Sequence, residues 1–398
     1  MNTAGNRLES RRASAWFWAG LALLMGAMVF LMYKQSLQPL HPDVYMSDIP
    51  LHINFIVSGD TAQYSLYHLV MSAFYPLAGA EGLRWVTIVM MAGCNIASIL
   101  ITRRFLQQRA QGAGAKPLTV DGLTLALFTF SMIVTNLPGF YPYLSQWTPN
   151  PWHNPTYILC RPFAILSVIY MVRFKEAFDA GRPYAKYYLP LGVWTFLSVA
   201  VKPSFFLVFI VACALYMLVD LIVKKFKPLK AYLLLALSLV PGAAIILIQN
   251  QLLYHTAENA NQMNLVFSFG EVWSLYTPSI PVSILLGLAF PIYVTVWLLC
   301  TRRFKQGGFM LFISLLTYAV AFAEFYSFAE SNHRFVDANF AWGYCYSMFF
   351  LFLVGIVEFF IKDKSKNAAK WIGGVIFLAH LASGLFYFGR LLTGADYY

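Results

Sequence analysis

Asp48 and His52 stand four residues apart in SDIPLHINFIV, a spacing that brings a carboxylate and an imidazole onto one face of a helix. A carboxylate so placed can take the proton of an attacking hydroxyl, which is general-base work. Asp48 reads equally as a helix cap, for which Ser47 and Asp48 are both suited. Lys202, in VAVKPSFF, closes a turn between two apolar segments that needs no cation for its fold. An ammonium there can hold a phosphate or snorkel toward lipid headgroups. Arg161, in WHNPTYILCRPFAIL, has no acid within four residues. An arginine inside an apolar stretch needs a partner, either a carboxylate such as Glu324 or Glu330 or the anion of a ligand. The stretch FAESNHRFVDANFAWGYC packs Glu330, His333, Arg334, Asp337 and Asn339 close together. That density suits an internal ion pair, or a phosphate site on His333 and Arg334. Glu258 and Glu271 could join Asp48 around a divalent metal, an option their spacing leaves open.

The elements that must position these groups are membrane helices. The 398 residues are 59% hydrophobic and 11% charged, with a mean hydropathy of +0.62, whereas soluble domains carry about 25% charged residues. A spanning helix needs roughly 20 mostly apolar residues. Eleven stretches come near that: 15–33, 82–101, 122–137, 157–172, 188–200, 205–223, 232–254, 281–300, 309–328, 340–361 and 371–388. Little remains for a soluble domain, so the chain reads as one all-α polytopic membrane domain over residues 1–398.

Short loops rich in Lys and Arg stay in the cytoplasm. Six basic segments alternate with loops poor in positive charge, and one assignment puts all six inside, from Arg7 to Arg12 at the start to Lys362 to Lys370 near the end. The start of the chain is then cytoplasmic, its end external, and the first apolar stretch a retained helix rather than a signal peptide. Counting 64–77 as a span would put Arg103, Arg104 and Arg109 outside, so 64–77 and 48–57 are expected as two helices lying in the outer interface. In the first of these Tyr64, Tyr67, His68 and Met71 share a face. The basic residues left over are Lys34, Arg84, Arg161, Lys202, Arg334 and Arg390. They map with His41, His52, His68, His153, His255 and His333 to the outer side, the pattern of an outward-facing cavity on many helix ends. The five cysteines lie in apolar stretches without metal-site spacing, and Cys94 and His380, within spans, read as packing residues. No GxGxxG, Walker A, HExxH or CxxC occurs, and no nucleic-acid motif accompanies the positive charge.

At its first external loop the chain resembles the GT-C superfamily, integral membrane glycosyltransferases that use sugars linked to polyprenyl phosphate. Lipid A aminoarabinose transferases and protein O-mannosyltransferases are members. There, a retained first helix leads to an acid on a juxtamembrane helix with an aromatic or polar residue four positions on, matched by Asp48 and His52. A Ser-Gly-Asp, here Ser58 to Asp60, precedes a second interfacial helix, here YSLYHLVMSAFYPLAG. A basic cluster at Ile101 to Arg104 and a hairpin turning at Lys202 to Ser204 continue the likeness in order. It covers residues 1–225, with the first external loop at 34–81. Residues 226–398 add further helices with external loops at 255–280 and 329–339.

The resemblance implies an inverting transfer from a polyprenyl-phosphate sugar to a glycan, lipid or protein acceptor in the cell envelope, at the outer face of a bacterial cytoplasmic membrane. Asp48 would be the base. Lys202, Arg161 and Arg334 would hold the leaving phosphate, and His52 or His153 would orient sugar or phosphate. Asp60, Glu330 and His333 complete the expected substrate-binding set. The rival reading is a transporter or flippase for a lipid-linked or anionic solute, which would carry internal repeats and interrupted helices near the midplane. A polymerase or ligase of envelope glycans expects a late external loop rich in arginine, and residues 255–280 contain neither Arg nor Lys.

Overall fold

A computed structural model of the protein describes residues 3–40, 43–59, 65–254 and 264–397, including the side chains of all of these except 3–13, 250, 252–254 and 333. The order of elements is α1 (Thr3–Ser36), α2 (Ile49–Val57), α3 (Leu66–Gln111), α4 (Pro117–Leu127), α5 (Pro155–Asp179), α6 (Tyr188–Val201), α7 (Ser204–Val223), α8 (Leu229–Tyr254), β1 (Leu265–Phe267), α9 (Glu271–Ser274), α10 (Ile280–Cys300), α11 (Gly308–Ser327), β2 (Phe328–Glu330), α12 (Ala341–Ile356) and α13 (Ala368–Leu392). Among the described residues, nine helices are long and apolar enough to cross a membrane. The molecule is therefore nearly all-α and built for a membrane, as its composition requires. Helix α12 runs through the centre: every residue from Ala341 to Ile356 is buried, which is why the run is apolar on all sides. The only described strands, β1 and β2, pair antiparallel with Leu265 opposite Glu330.

Helical segments are present at both places where interfacial helices are expected. Helix α2 is short, begins with Ile49-Pro50, and buries Ile49 and Ile56 while Val57 stays exposed. Helix α3 starts at the Ser65 cap and breaks at Gly79, whose φ of 63° and ψ of −177° no side-chain-bearing residue adopts comfortably. The break separates the first segment, with His68, from the long membrane helix beyond it.

Two expected spans are not helices of full crossing length. Helix α6 has 14 residues, and the stretch 122–137 contains only the end of α4, an 11-residue helix that stops at Phe128. Beyond it, residues 130–154 form neither helix nor strand, although 128–132 and 145–154 are buried. Irregular backbone at membrane depth is tolerated only where protein surrounds it and satisfies its polar groups. Here the partners can be named. Asn150 Nδ2 donates to the carbonyls of Leu127, at 2.8 Å, and Phe130, at 3.0 Å, closing the open end of α4. Helix α10 breaks at Leu288, freeing the Leu286 carbonyl and the Phe290 amide from each other. The Ile133 amide takes the first at 2.9 Å, and His380 Nε2 accepts from the second at 3.3 Å. His380 Nδ1 then donates to the Ser131 carbonyl at 2.8 Å, and Ser383 Oγ accepts from the Val134 amide at 3.2 Å. His380 is thus a polar bridge between broken segments and not merely a packing residue.

Helix α13 reaches this segment only because residue 384 has no side chain. A Cβ at Gly384 would overlap the Thr129 carbonyl oxygen and stand 2.9 Å from the Ser131 amide nitrogen, both of them backbone. Gly384→Ala is expected to destabilise the protein by about 1–3 kcal/mol, the usual cost of overpacking. A lowered thermal midpoint in detergent would register it; an unchanged one would mean that α13 does not seat there.

At the ends of the helices, most of the basic segments meet acids of neighbouring helices. Arg103 forms a forked pair with Asp121 at 2.7 and 2.9 Å, and Arg109 reaches Glu176 at 2.7 Å. Lys224 lies 2.9 Å from Asp179 and 3.2 Å from Asp220. Asp363 joins Arg303 at 2.7 Å and Lys370 at 3.1 Å.

Candidate functional site

Asp48 occupies the cap position of α2, but its side chain makes no capping bond. Ser47 Oγ, 3.3 Å from the Ile49 amide, accepts there instead. The Asp48 carboxylate turns to the start of α5, where its Oδ2 accepts from Asn154 Nδ2 at 2.6 Å. The backbones are tied as well, by the Asp48 amide donating to the His153 carbonyl at 3.1 Å. Asn154 is itself a cap: its Oδ1 accepts from the Tyr157 amide at 2.7 Å and from Thr156 Oγ1 at 2.9 Å. With the oxygen committed to the helix, the amide nitrogen must face Asp48.

Thr156 connects this pair to the cation. Lys202, at the end of α6, donates from Nζ to Thr156 Oγ1 at 3.1 Å, and its ammonium lies 4.6 Å from the centroid of the Trp342 ring. A continuous chain therefore runs Lys202, Thr156, Asn154, Asp48, with the positive group at one end and the carboxylate at the other. Burial pushes the Lys202 ammonium down to about 8; Asp48 opposes that shift and Arg334 adds to it. The residue is a cation at neutral pH with little margin.

His153 is 2% exposed and stacks on Tyr397, ring centroids 4.0 Å apart and planes 3° from parallel. Burial holds its pKa down at about 4; Asp48 opposes the shift and Lys202 reinforces it, so the ring is neutral at neutral pH. Its Nδ1 is buried without a hydrogen-bond partner among the described residues. Trp342 lies against both His153 and Tyr157, at 5.9 and 5.8 Å between ring centroids. Aromatic faces beside an unused ring nitrogen suit a ligand that offers both C–H and O–H groups.

His52 follows Asp48 by one turn of α2 and meets His68 of α3, Nδ1 to Nε2 at 2.9 Å. Burial, then His68, then Lys202 lower its pKa well below the ordinary value. Glu330 and Arg334 pair with each other at 3.1 Å. Asn339 Nδ2 donates to Glu330 Oε2 at 2.6 Å, and Arg334 also reaches Asp337 at 3.3 Å. The backbone of His333 lies in the same 3₁₀ turn, Asn332–Asp337, while its side chain falls outside the described residues, as do Asp60 and Glu258 altogether.

Arg161 departs most from the sequence reading. It is 1% exposed, and neither Glu324 nor Glu330 is its partner. Nη1 donates to Asn150 Oδ1 at 2.7 Å, Nη2 donates to Asn95 Oδ1, and the guanidinium lies over the Phe128 ring. Since Asn150 closes the open end of α4, Arg161 braces the broken helix, where a positive group also suits the negative end of the helix dipole. Of the expected residues, Asp48, His52, His153 and Lys202 come together. Asn154, Thr156 and Trp342 join them without having been expected, and so does His68, which the sequence placed at the outer side without a role. The Asn-Pro-Thr sequence signals a helix start, and nothing in it announces that the cap's second atom serves a carboxylate. Among the described residues no group of three or more His, Cys, Asp or Glu is placed to hold a metal, and Glu271 is exposed. No family model, no curated protein and no solved structure matches the chain.

Proposed function

We propose that the protein is an inverting glycosyltransferase that moves a sugar from a polyprenyl-phosphate donor to an acceptor of the cell envelope, at the outer face of a bacterial cytoplasmic membrane. The observation that carries this reading is the bonded chain from Lys202 to Asp48, assembled from three segments remote in sequence. Glycosyl transfer from a phosphodiester needs a base and a cation at opposite ends of the reacting atoms. The acceptor oxygen attacks the anomeric carbon and its proton passes to Asp48. The bond from that carbon to the phosphate oxygen breaks, and the phosphate leaves with one more negative charge, which Lys202 offsets. A single displacement inverts the anomeric centre. The aromatic wall of Trp342 and Tyr397 and the unused nitrogen of His153 are suited to the sugar. Arg334 adds positive potential near Lys202, and Arg161 takes no direct part.

The test is transfer of radiolabelled sugar from a panel of polyprenyl-phosphate sugars by purified protein in detergent. The state of Lys202 sets an expected pH dependence. Below about pH 8 the ammonium is charged and holds the donor, and above it the charge is lost. The KM for the donor should then climb by up to tenfold per pH unit above about 8. Lys202→Arg, whose guanidinium stays charged, should flatten that limb. A donor KM independent of pH in the wild type would remove Lys202 from the phosphate site.

A transporter of the same lipid-linked sugars is the second reading, favoured by the interruptions of α4 and α10, since transporters build sites from broken helices. Protein in liposomes that moves labelled lipid across the bilayer without forming product would decide for it. Hydrolysis or transfer would decide against it.

A further inference from the structure

The first turn of α3 holds a hydrogen-bonded series that the Asp48 to Lys202 chain does not use. Ser65 caps α3 by accepting from the His68 amide at 3.3 Å, and the same Oγ lies 2.6 Å from His68 Nδ1. His68 Nε2 lies 2.9 Å from His52 Nδ1. His68 is buried, while His52 is half-buried and retains its Nε2 for other partners. Tyr67, also of α3, meets His52 edge to face at 5.8 Å. Its hydroxyl is turned to Thr87 at 3.0 Å and not to the imidazoles.

With both imidazoles neutral, each hydrogen bond in the series needs one proton, so the direction of the first fixes the rest. The Ser65 oxygen already serves as acceptor for the helix, and its hydroxyl proton is free to point at His68 Nδ1. A 2.6 Å separation is that of a strong O–H donor bond. His68 Nδ1 is then an acceptor, its Nε2 carries the proton, and that proton goes to His52 Nδ1. A neutral His52 must in turn carry its own proton on Nε2. Burial, the largest cause, keeps the ring neutral, and the Lys202 charge acts in the same direction.

We propose that Ser65 and His68 are positioning residues that set His52 in its Nε2–H form, so that a neutral imidazole donates a hydrogen bond to the leaving phosphate beside Lys202. The choice of phosphate as the acceptor rests on the transferase reading; the direction of the series does not. A donor N–H adds hydrogen bonding to a second phosphate oxygen without adding a charge that would repel Lys202. It also keeps His52 from competing with Asp48 for the acceptor's proton, because a ring protonated on Nε2 presents no lone pair there. The two residues one turn apart on α2 thereby take opposite duties, Asp48 accepting and His52 donating.

The test combines two measurements on full-length protein in detergent. Nitrogen-15 NMR of histidine-labelled protein, with His52 and His68 signals assigned by His52→Gln and His68→Gln, reports which ring nitrogen carries the proton. Both rings are expected in the Nε2–H form near neutral pH, and Ser65→Thr, which keeps cap and hydroxyl, should preserve it. Ser65→Gly keeps most of the capping value but removes the hydroxyl. It should convert part of the His68 population to the other form and lower kcat/KM for the polyprenyl-phosphate sugar about tenfold, with an unchanged melting point. Wild-type His52 protonated on Nδ1 would overturn the proposal, as would Ser65→Gly with wild-type kcat/KM. Loss of activity on metal removal, restored by a divalent ion that shifts both ring signals, would also overturn it, because the facing nitrogens would then hold an ion. If the wild type turns over none of the donors, the transferase reading fails, and the NMR result still decides the direction of the series.

Discussion

Asp48→Asn is expected to leave donor binding within about twofold of wild type and to slow transfer by about 10²–10⁴-fold, the usual contribution of a general base. The substitution is nearly isosteric. The new amide's oxygen can still accept from Asn154 Nδ2, so the tie between α2 and α5 is retained. What is lost is the ability to take a proton. The alternative that Asp48 serves only as the cap of α2 predicts almost no effect, because asparagine caps as well as aspartate, and the absence of a capping bond from its side chain already speaks against that role. Steady-state transfer with a labelled donor, alongside a direct binding measurement, separates the two. Full activity in Asp48→Asn would remove the residue from the chemistry.

Arg161→Met should act on the fold. It deprives Asn150 and Asn95 of their donor inside the protein, and Asn150 is the group that closes the end of α4. Each hydrogen bond to a charged group contributes about 1.5–3 kcal/mol, so a loss on the order of 3–6 kcal/mol is expected. The folded, monodisperse yield in detergent should drop sharply. Arg161→Lys should recover only part of it, because a single ammonium lacks the planar fork that reaches two amides. A stable Arg161→Met protein impaired only in donor affinity would return Arg161 to the phosphate site.

Much of the scaffold was legible because hydropathy and backbone punctuation carry it. Most of the long apolar runs are helices, and Gly79 divides a short first segment of α3 from the long apolar helix beyond it, where the sequence reading separates two helices. The break of α4 was not legible. The run LTLALFTFSMIVTNL is mostly apolar and free of charge, and a buried extended chain and a buried helix have the same hydropathy. Its deciding features are tertiary: Asn150, His380 and a glycine on α13. The site was partly legible for the same kind of reason. Asp48, His52 and Lys202 stand out as ionisable groups in apolar surroundings. Asn154 and Thr156, which join them, read as ordinary helix-start residues, and their second role exists only once α2 and α6 lie beside α5.

The short fourth helix also bears on how the protein is made. At about 1.5 Å per residue, 11 residues span roughly half of a 30 Å hydrocarbon layer. A nascent chain delivering α4 to the bilayer therefore presents a segment that cannot be released into lipid by itself, with the Phe130 and Ser131 carbonyls and the Ile133 and Val134 amides still lacking their later partners. Part of what satisfies them, His380 and Ser383, belongs to α13, the last described helix to be synthesised. The fourth element must wait for the final one, sheltered by its neighbours or by an insertion factor. Chains halted before α13 should be recognised as unfinished and degraded, even though most of their spanning helices are already in place.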